Sequence, residues 1–380
     1  MARDQSHLGY IDTVNYGSYY TPEKIVSVVY DMLYKNIKKI SDFTIVDTSC
    51  GYGNFLIYPD SVGADCDNIA LKEAKKNANN CRFFHHNSLK NVGRAQYKLD
   101  NSKKIIIVGN PPYNDKTSII RNEIKHENYD MDDDIKHRDL GISFLLSYNK
   151  LAADYICILH PLSYLIKKTN FSSLGDFKNN YSLTDSVIIS SGEFSETSRS
   201  THFPIIIALY KRGECMTHNS ICGYRFRTKD GRQFKINQFD YLNGYISKYP
   251  NQKSVPLEQT VAYFWTMRDI NALKRSRTFI ENEVYNSIRV QRDKLAFYCY
   301  ADVFKEYIPR IPYYFGNSDI MIDCQAFDRI KNIFIKRSLS KYSFLQKLSI
   351  DYKKNNTQDD GQIHSYFRNL LGEHYDDTKN

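Results

Sequence analysis

Four β-branched residues in a row form the most constraining segment of this chain. Residues 105–108 have the sequence Ile-Ile-Ile-Val and end at a glycine, which is typical of a strand buried in a parallel sheet. The next residues, 110–113, have the sequence Asn-Pro-Pro-Tyr. Two consecutive prolines fix φ and remove two backbone donors, so this loop has few ways to relax. The sequence therefore predicts a buried strand that runs into a rigid loop.

This rigid loop suits a planar ligand that carries an amino group. The side chain of Asn110 and the carbonyl of Pro111 would be preset hydrogen-bond acceptors, and Tyr113 would offer a flat face beside them. A nucleobase has these properties. The alternative, a strand-to-turn transition without chemistry, stays open at this point because Asn-Pro is an ordinary turn former.

Short apolar runs alternate along the chain with segments of helical spacing. Residues 21–37 have such spacing, with Thr21 placed to cap the helix and Pro22 at its first position, and so do residues 69–78 and 141–152. This alternation predicts an α/β fold with a doubly wound, mostly parallel sheet, in which ligands bind at the carboxyl ends of the strands. The predicted strands are Thr44–Asp47, Ser61–Ala64, Cys81–Phe84, Lys104–Val108, Tyr155–Leu159, Ser186–Ile189 and Pro204–Tyr210.

The first predicted strand ends in a turn that contains Gly51 and Gly53, which permit close approach of a ligand. The third glycine of a dinucleotide-binding loop is absent, since Leu56 stands in its place, and so is a phosphate-binding Gly-Lys-Ser/Thr. The ligand is therefore expected to lack a pyrophosphate. An acid after the second strand commonly binds the ribose of an adenosine-type cofactor, and both Asp65 and Asp67 are candidates. The span before them is short, which predicts an abbreviated connection between the first two strands.

Composition sets broader limits. The chain is 42% hydrophobic and 25% charged, as in soluble globular proteins, and it has no apolar run long enough for a membrane helix and no secretory signal. Its eight cysteines are scattered without Cys-x-x-Cys pairs, which favours a reducing cytoplasm and argues against a zinc ribbon. The consecutive carboxylates 132–134 lie in a polar insertion, and a solvated loop is favoured there over a metal site. No metal is therefore expected.

Charge differs between the two parts of the chain. Residues 1–215 contain 26 basic and 25 acidic residues, whereas residues 216–380 contain 26 and 18. We expect a catalytic domain at 1–215 and a basic domain at 216–380, the latter ending in a polar, partly disordered tail from Asn355 onward. A basic domain beside a neutral one favours a polyanionic partner. A solvated basic surface without a ligand is the alternative.

Together these residues resemble the N6-adenine DNA methyltransferases of bacterial restriction–modification systems. Residues 110–113 match the catalytic motif of that family at every position, and residues 47–55 are similar to its main cofactor loop. The order of the two motifs is that of the subgroup with target recognition at the C-terminus. The resemblance covers roughly residues 15–215. It implies a Rossmann-like methyltransferase fold followed by an α+β target-recognition domain.

The resemblance also implies the cofactor S-adenosyl-L-methionine and a set of site residues. The family's opening motif, which contacts the methionine part of the cofactor, corresponds to Tyr20, Thr21 and Pro22. Further cofactor-binding positions are Asp47, Cys50, Gly51 and Gly53 in the loop, Asp65 on the ribose, Asn87 near the adenine, and Asn110. The catalytic positions are Asn110, Pro111, Pro112, Tyr113 and Phe194, the last of these against a flipped base.

The implied reaction is methyl transfer to the N6 amino group of a flipped adenine in double-stranded DNA, by a cytoplasmic monomer paired with a cognate restriction endonuclease. Three details differ from the family or stay open: Asn87 replaces the usual Asp, the ribose acid is Asp65 or Asp67, and Phe203 competes with Phe194. RNA adenine methylation, glutamine N5-methylation of release factors, and an idle methyltransferase fold in a DNA-binding subunit are the alternative functions. Cytosine amino methylation ranks below adenine, since it usually comes with Ser in place of Asn110.

Overall fold

The computed structural model describes residues 21–113, 130–194, 202–351 and 359–378. The chain divides into two compact units, residues 1–235 and 236–380. The sequence predicted this boundary at 215/216. Residues 216–235 belong to the first unit because a small hairpin there buries Phe226 and Phe234, and because Thr228 forms a β-bridge with Ile188.

A seven-stranded sheet forms the centre of the first unit, in the order β3-β2-β1-β4-β5-β7-β6. Strands β1 to β5 are parallel, and β7 is antiparallel to both β5 and β6. The predicted doubly wound, mostly parallel sheet is therefore confirmed. The strands are β1 (Thr44–Asp47), β2 (Val62–Asp65), β3 (Arg82–His85), β4 (Ile105–Gly109), β5 (Tyr155–Pro161), β6 (Tyr181–Ser190) and β7 (Pro204–Arg212), with β8 (Phe226–Arg227) and β9 (Gln233–Phe234) in the hairpin.

Helices flank this sheet and connect several of its strands. The first two strands are joined without a helix, by residues 48–61, so the connection is abbreviated as predicted. The helices are α1 (Glu23–Asn36), α2 (Asn68–Asn77), α3 (Leu140–Leu151), α4 (Ser163–Ile166), α5 (Lys168–Ser172), α6 (Phe177–Asn180) and α7 (His218–Gly223).

Strand β4 lies at the middle of the sheet, and all five of its residues are buried. Its Ile106 pairs with Ile45 of β1 on one side and with Tyr155 of β5 on the other. The chain first builds outward from β1 to β3 and then returns to place β4 on the opposite side of β1. This reversal makes a crevice at the carboxyl ends of β1 and β4, which is where open α/β sheets bind ligands.

Helix α1 begins one residue later than the sequence predicted. It starts at Glu23, and Pro22 occupies the cap position in an extended conformation without a side-chain cap. The predicted capping role of Thr21 is wrong, because the Thr21 hydroxyl instead accepts a hydrogen bond from the side chain of Asn110. Fully buried Ile25, Val29 and Leu33 form the inner face of this helix.

The second unit combines helices with short antiparallel strands. Its largest sheet has three antiparallel strands, and rings such as Tyr300, Phe334 and Phe367 fill the core of the unit. Within the tail that was predicted to be partly disordered, residues 359–371 form a helix that buries Ile363 and Phe367. The elements are β10 (Asp240–Tyr241), β11 (Thr260–Trp265), α8 (Ile270–Arg275), β12 (Phe279–Ile280), β13 (Ser287–Gln291), α9 (Leu295–Tyr307), β14 (Met321–Ile322), α10 (Cys324–Leu339) and α11 (Asp359–Leu371).

Candidate functional site

A cleft lies at the carboxyl ends of β1 and β4 and is called the β1–β4 cleft below. It brings together residues from both loops that the sequence singled out, although these loops are far apart in the chain. Its lining consists of Thr21, Asp47, Thr48, Ser49, Cys50, Gly51, Tyr52, Asn54, Phe55, Asp65, Cys66, Asn87, Ser88, Asn110, Pro112 and Phe144.

Asp47 ends β1 and is only 1% exposed. Its Oδ1 accepts a hydrogen bond from the backbone N–H of Ser49 at 3.1 Å, whereas its Oδ2 has no partner among the described residues. Burial, together with the nearby carboxylate of Asp65, raises the pKa of this carboxyl to about 8 although the Ser49 N–H opposes the shift. A buried acid with an unsatisfied oxygen is costly, and a bound cation or donor would offset that cost.

Gly109 allows the two loops to meet. Its φ of +146° is unfavourable for any residue with a side chain, and a Cβ at this position would lie 2.8 Å from Oδ1 of Asp47. The end of β4 can therefore pass directly over the buried carboxylate of β1. The sequence marked this glycine only as the end of an apolar run.

Asp65 ends β2 and fixes the glycine loop. Its Oδ2 accepts the N–H of Gly51 at 2.8 Å and its Oδ1 accepts the N–H of Asp67 at 2.9 Å, and burial raises its pKa. The Asp67 side chain instead caps α2 by accepting the N–H groups of Ile69 and Ala70. Of the two carboxylates that the sequence left open, Asp65 lines the β1–β4 cleft.

The glycine loop needs both of its glycines. Gly51 has φ +49° and Gly53 has φ +81°, and a Cβ on Gly53 would press against Ala74 of α2 at 3.3 Å. Cys50 is buried with Leu56 and Leu71 in a small apolar cluster that holds the loop from behind. Gly53 thus shapes the loop without lining the cleft.

The Asn87 side chain is used to hold its own loop. Its Oδ1 accepts the N–H of Leu89 at 3.0 Å, and its Nδ2 donates to the carbonyl of Asp130 at 2.5 Å. An aspartate could make the first bond but lacks the donor for the second. This gives a local reason for Asn at the position where the resembling family usually has Asp.

Asn110 lies at the centre of the cleft wall formed by the loop after β4. Its Nδ2 donates to the hydroxyl of Thr21 at 3.2 Å, so the orientation of the amide is set. Its Oδ1 is buried and has no partner among the described residues. A ligand N–H that binds this buried acceptor would remove the free-energy cost of leaving it unsatisfied.

The other residues predicted for the site lie behind or beside the lining. Pro111 is buried. Tyr113 is 9% exposed and packs next to the start of α3, since a Cβ on Gly141 would lie 3.0 Å from the Cβ of Tyr113. Phe194 follows β6 and is 3% exposed, and its competitor Phe203 is half-buried at the start of the returning strand. Pro22 precedes α1 outside the lining, and Tyr20 lies outside the described residues.

Phe144 was missed by sequence reasoning. It lies on α3, is 7% exposed and lines the cleft together with Pro112. In the sequence it is one apolar residue among many on a helix that is mostly buried, so no signal separated it from the core. The hydroxyl of Ser49, buried without a partner among the described residues, was missed as well.

Lys150 forms ion pairs with the polar insertion that contains the carboxylates 132–134. Lys150 lies 3.0 Å from carboxylate oxygens of both Asp132 and Asp134. The N–H groups of Val92 and Asn91 bind Asp132 and lower its pKa to about 2. Within the described ranges, no group of three potential metal ligands comes together and no helix is long and apolar enough to cross a membrane.

Comparison with known proteins finds similarity only at the level of solved structures; no protein-family model and no curated protein matches. A type I restriction–modification methyltransferase subunit from Streptococcus thermophilus is 14% identical over 58% of this chain and 48% of its own, with a TM-score of 0.40. A putative class I S-adenosylmethionine-dependent methyltransferase from Listeria monocytogenes is 17% identical over 54% and 63%, with a TM-score of 0.38. A putative RNA methyltransferase from Pyrococcus horikoshii is 13% identical over 52% and 88%, with a TM-score of 0.35. At such distances an activity does not follow from likeness, and the chemistry of the site has to supply it.

Proposed function

We propose that this protein is an S-adenosylmethionine-dependent methyltransferase that acts on the N6 amino group of adenine in double-stranded DNA. The observation that carries the proposal is the buried, unsatisfied Oδ1 of Asn110, which shares the β1–β4 cleft with the carboxyl groups of Asp47 and Asp65. One wall of the cleft can thus accept an amino group, and the other can hold a cation.

The residues of the cleft fit the cofactor. S-adenosylmethionine carries positive charge, and the buried acids Asp47 and Asp65 would be stabilised in their ionised form by a cation. The carboxylate of Asp65 follows the second strand, where ribose hydroxyls commonly bind, and Phe144 with Pro112 offers an apolar wall for a flat ring. The cofactor would supply an electrophilic methyl group on sulfur.

Asn110 would orient and activate the target nitrogen. An adenine amino group is a weak nucleophile because its lone pair is delocalised into the ring. Oδ1 of Asn110 and the carbonyl of Pro111 would accept its two N–H groups, which concentrates electron density on nitrogen and stabilises the positive charge that develops there. The bond from the Asn110 amide nitrogen to Thr21 fixes the orientation of the amide whose oxygen would act as the acceptor. One proton then leaves the nitrogen for solvent after the methyl group is gained.

A base inside duplex DNA cannot reach this cleft and would have to rotate out of the stack. Tyr113, next to Asn110, and Phe194, after β6, would supply aromatic faces for the extruded base. Each such stacking contact contributes about 1–3 kcal/mol. Both rings are largely buried in the described structure, so the base would bind against their accessible edges or after a side-chain rotation.

The proposed setting follows the resemblance of the motifs. We propose a cytoplasmic, monomeric enzyme that protects DNA in a restriction–modification system with a cognate endonuclease, and whose second unit recognises the target sequence. The net positive charge of both units supports a polyanionic partner.

Parallel transfer assays test the proposal. Labelled methyl groups from S-adenosylmethionine are offered to duplex DNA of mixed sequence, to structured RNA, and to a release-factor protein with an accessible glutamine. We expect label in DNA alone. Label in RNA alone or in protein alone would contradict the proposed substrate, and label in none of the three would contradict the proposed activity.

A further inference from the structure

The most basic segment of the chain lies in the first unit. Residues 225–235, called the basic hairpin below, contain five basic residues and one acidic residue, and no other eleven-residue window has as many basic residues. With the division at Lys235, the first unit has 31 basic and 26 acidic residues. The unit that carries the cleft is therefore itself basic, and the excess comes from this hairpin.

The basic hairpin places its cations on one face. Strands β8 and β9 pair antiparallel, with Phe226 opposite Phe234. Phe226, Thr228 and Phe234 are buried, whereas the alternating residues Arg225, Arg227 and Lys229 are exposed. This alternation of exposed and buried residues from 225 to 229 places the three cations together on the solvent-exposed face of the hairpin.

The hairpin lies beside the carboxyl-terminal part of β6. Thr228 forms a parallel bridge with Ile188 of β6, and the N–H of Lys229 donates to the Ile188 carbonyl at 3.0 Å. The ammonium group of Lys229 lies 3.2 Å from Glu193, which follows the carboxyl end of β6. Parallel strands end at the same edge, so the hairpin reaches the side of the sheet on which the β1–β4 cleft opens.

Glu193 connects the basic hairpin to the cleft wall. It also binds Lys24 of α1 at 2.6 Å. Lys24 lies three residues after Thr21, whose hydroxyl holds Asn110. A polyanion on the hairpin would therefore lie next to the segment that orients the proposed catalytic amide.

The neighbouring acids leave a surplus of positive charge. Glu193 is shared by Lys24 and Lys229, and Asp185 is shared by Lys35 at 2.9 Å and Arg227 at 3.8 Å. A purely structural network of ion pairs would balance its charges. Here two carboxylates face four cations, and Arg225 adds a fifth whose contact is the neutral side chain of Gln233.

We propose that the basic hairpin grips the phosphate backbone of duplex DNA beside the target base, as a second DNA contact independent of sequence recognition by the second unit. This inference rests on the proposed function for its substrate. Phosphate contacts fix the register of a protein on the duplex without reading bases. A grip within the catalytic unit would hold the extruded strand at the cleft.

A salt titration of DNA binding by the full-length protein tests the hairpin. The variant Arg225→Gln, Arg227→Gln, Lys229→Gln is compared with Lys38→Gln, Lys39→Gln, Lys103→Gln, which removes three exposed cations at the amino ends of the strands, on the opposite edge of the sheet. Binding of a mixed-sequence duplex of about three helical turns is measured by fluorescence anisotropy over a range of salt concentrations. The slope of log K against log salt should weaken by about 2.7 in the hairpin variant, which is about 0.9 for each lost contact, and should not change in the control.

Two further measurements distinguish a failure of the proposed phosphate contact from a failure of the proposed function. S-adenosylmethionine binding should be equal in both triple variants, and the single Arg225→Gln variant should lose about 0.9 of the slope if the triple variant folds poorly. An unchanged slope in the hairpin variants would overturn the phosphate grip even if the wild type methylates DNA. A weakened slope together with no methyl transfer to DNA would leave the grip standing and overturn the proposed function.

Discussion

The two loops that form the β1–β4 cleft are built in opposite ways. The loop after β1 is flexible by composition and acidic: it has two glycines, and it lies between the buried carboxyl groups of Asp47 and Asp65. The Asn-Pro-Pro-Tyr segment after β4 is stiff and carries no charge: two prolines follow Asn110, whose amide is fixed by Thr21. One loop is shaped by backbone hydrogen bonds to a carboxylate, and the other by covalent restriction of φ.

This difference separates two chemical tasks. Buried carboxyl groups suit a ligand that carries positive charge, whereas a neutral, oriented amide oxygen suits an amino group that must stay unprotonated in order to react. The two loops begin close together, where the backbone of Gly109 at the end of β4 passes over Asp47 at the end of β1. The comparison predicts that changes in one loop affect cofactor binding, that changes in the other affect transfer, and that only the crossing point affects both.

Replacing Asn110 should have the largest effect. Asn110→Ala removes the acceptor for the amino group, so the rate of transfer should fall by about 10²–10³-fold. Cofactor affinity should change little, since the carboxyl groups of the other loop remain. Single-turnover transfer and cofactor titration measure the two effects separately, with Asn101→Ala, at the opposite end of β4, as the matched control. Near-normal transfer by Asn110→Ala would remove the basis for assigning the stiff loop to catalysis.

Replacing Gly109 should damage both loops. The Cβ of Gly109→Ala would meet Oδ1 of Asp47, and φ +146° is strained for alanine. A cost of about 1–3 kcal/mol in the free energy of unfolding is expected, together with weaker cofactor binding and slower transfer. Chemical denaturation and cofactor titration measure these effects. Gly231→Ala is the control, because its φ is also positive but no atom lies within 4 Å of its Cβ. If both variants lose the same stability and neither loses affinity, the loops are not coupled at Gly109.

Replacing Asp47 should change the pH dependence of the free energy of unfolding and of cofactor binding. Burial raises its pKa to about 8, so the unfolded chain ionises first and the free energy of unfolding should fall as the pH rises from about 4 towards 8. Asp47→Asn should remove this fall. The ratio of the cofactor affinity of the wild type to that of Asp47→Asn should increase over the same pH range, because the carboxylate forms there. The titration of the ligand itself cancels in this ratio. A ratio independent of pH would show that Asp47 does not interact with the cofactor.

Replacing Phe144 should have the smallest effect. Phe144→Leu keeps most of the apolar volume but removes the ring, which is expected to weaken cofactor binding by about 2- to 12-fold, the equivalent of an aromatic contact of about 0.5–1.5 kcal/mol. Transfer at saturating cofactor should stay close to that of the wild type. Isothermal titration gives the affinity, and Phe171→Leu, a buried ring elsewhere in the same unit, controls for general loosening of the core. Equal affinities in the two variants would exclude Phe144 as a contact of the cofactor.

The sequence predicted the sheet well because its strands are buried apolar runs. The bounds of β1 were predicted without error, and β4 and β7 begin and end within two residues of the prediction. The local sequence pattern gave wrong predictions where long-range contacts determine the structure. Thr21 has the residue type of a helix cap, yet its hydroxyl binds Asn110, which is 89 positions away in the chain.

The boundary between the units and the choice between Asp65 and Asp67 could be determined only from the three-dimensional structure, because long-range contacts decide both. The paired strands of the basic hairpin are two residues long each, too short for any periodicity, and only their packing beside β6 assigns them to the first unit. Asp65 and Asp67 are alternate positions on one segment, and their roles differ only because one reaches Gly51 and the other caps α2. Residue type predicted the candidates, and hydrogen bonding distinguished them.

The most direct test of the two-loop account is the identity of the methylated nucleoside. Duplex DNA is incubated with S-adenosylmethionine and the full-length protein, digested to nucleosides and analysed by mass spectrometry, with Asn110→Ala in parallel. The account predicts N6-methyladenine as the product of the wild type and almost none from the variant. A methyl group on a ring nitrogen or a carbon atom, or equal amounts of product from both proteins, would contradict it.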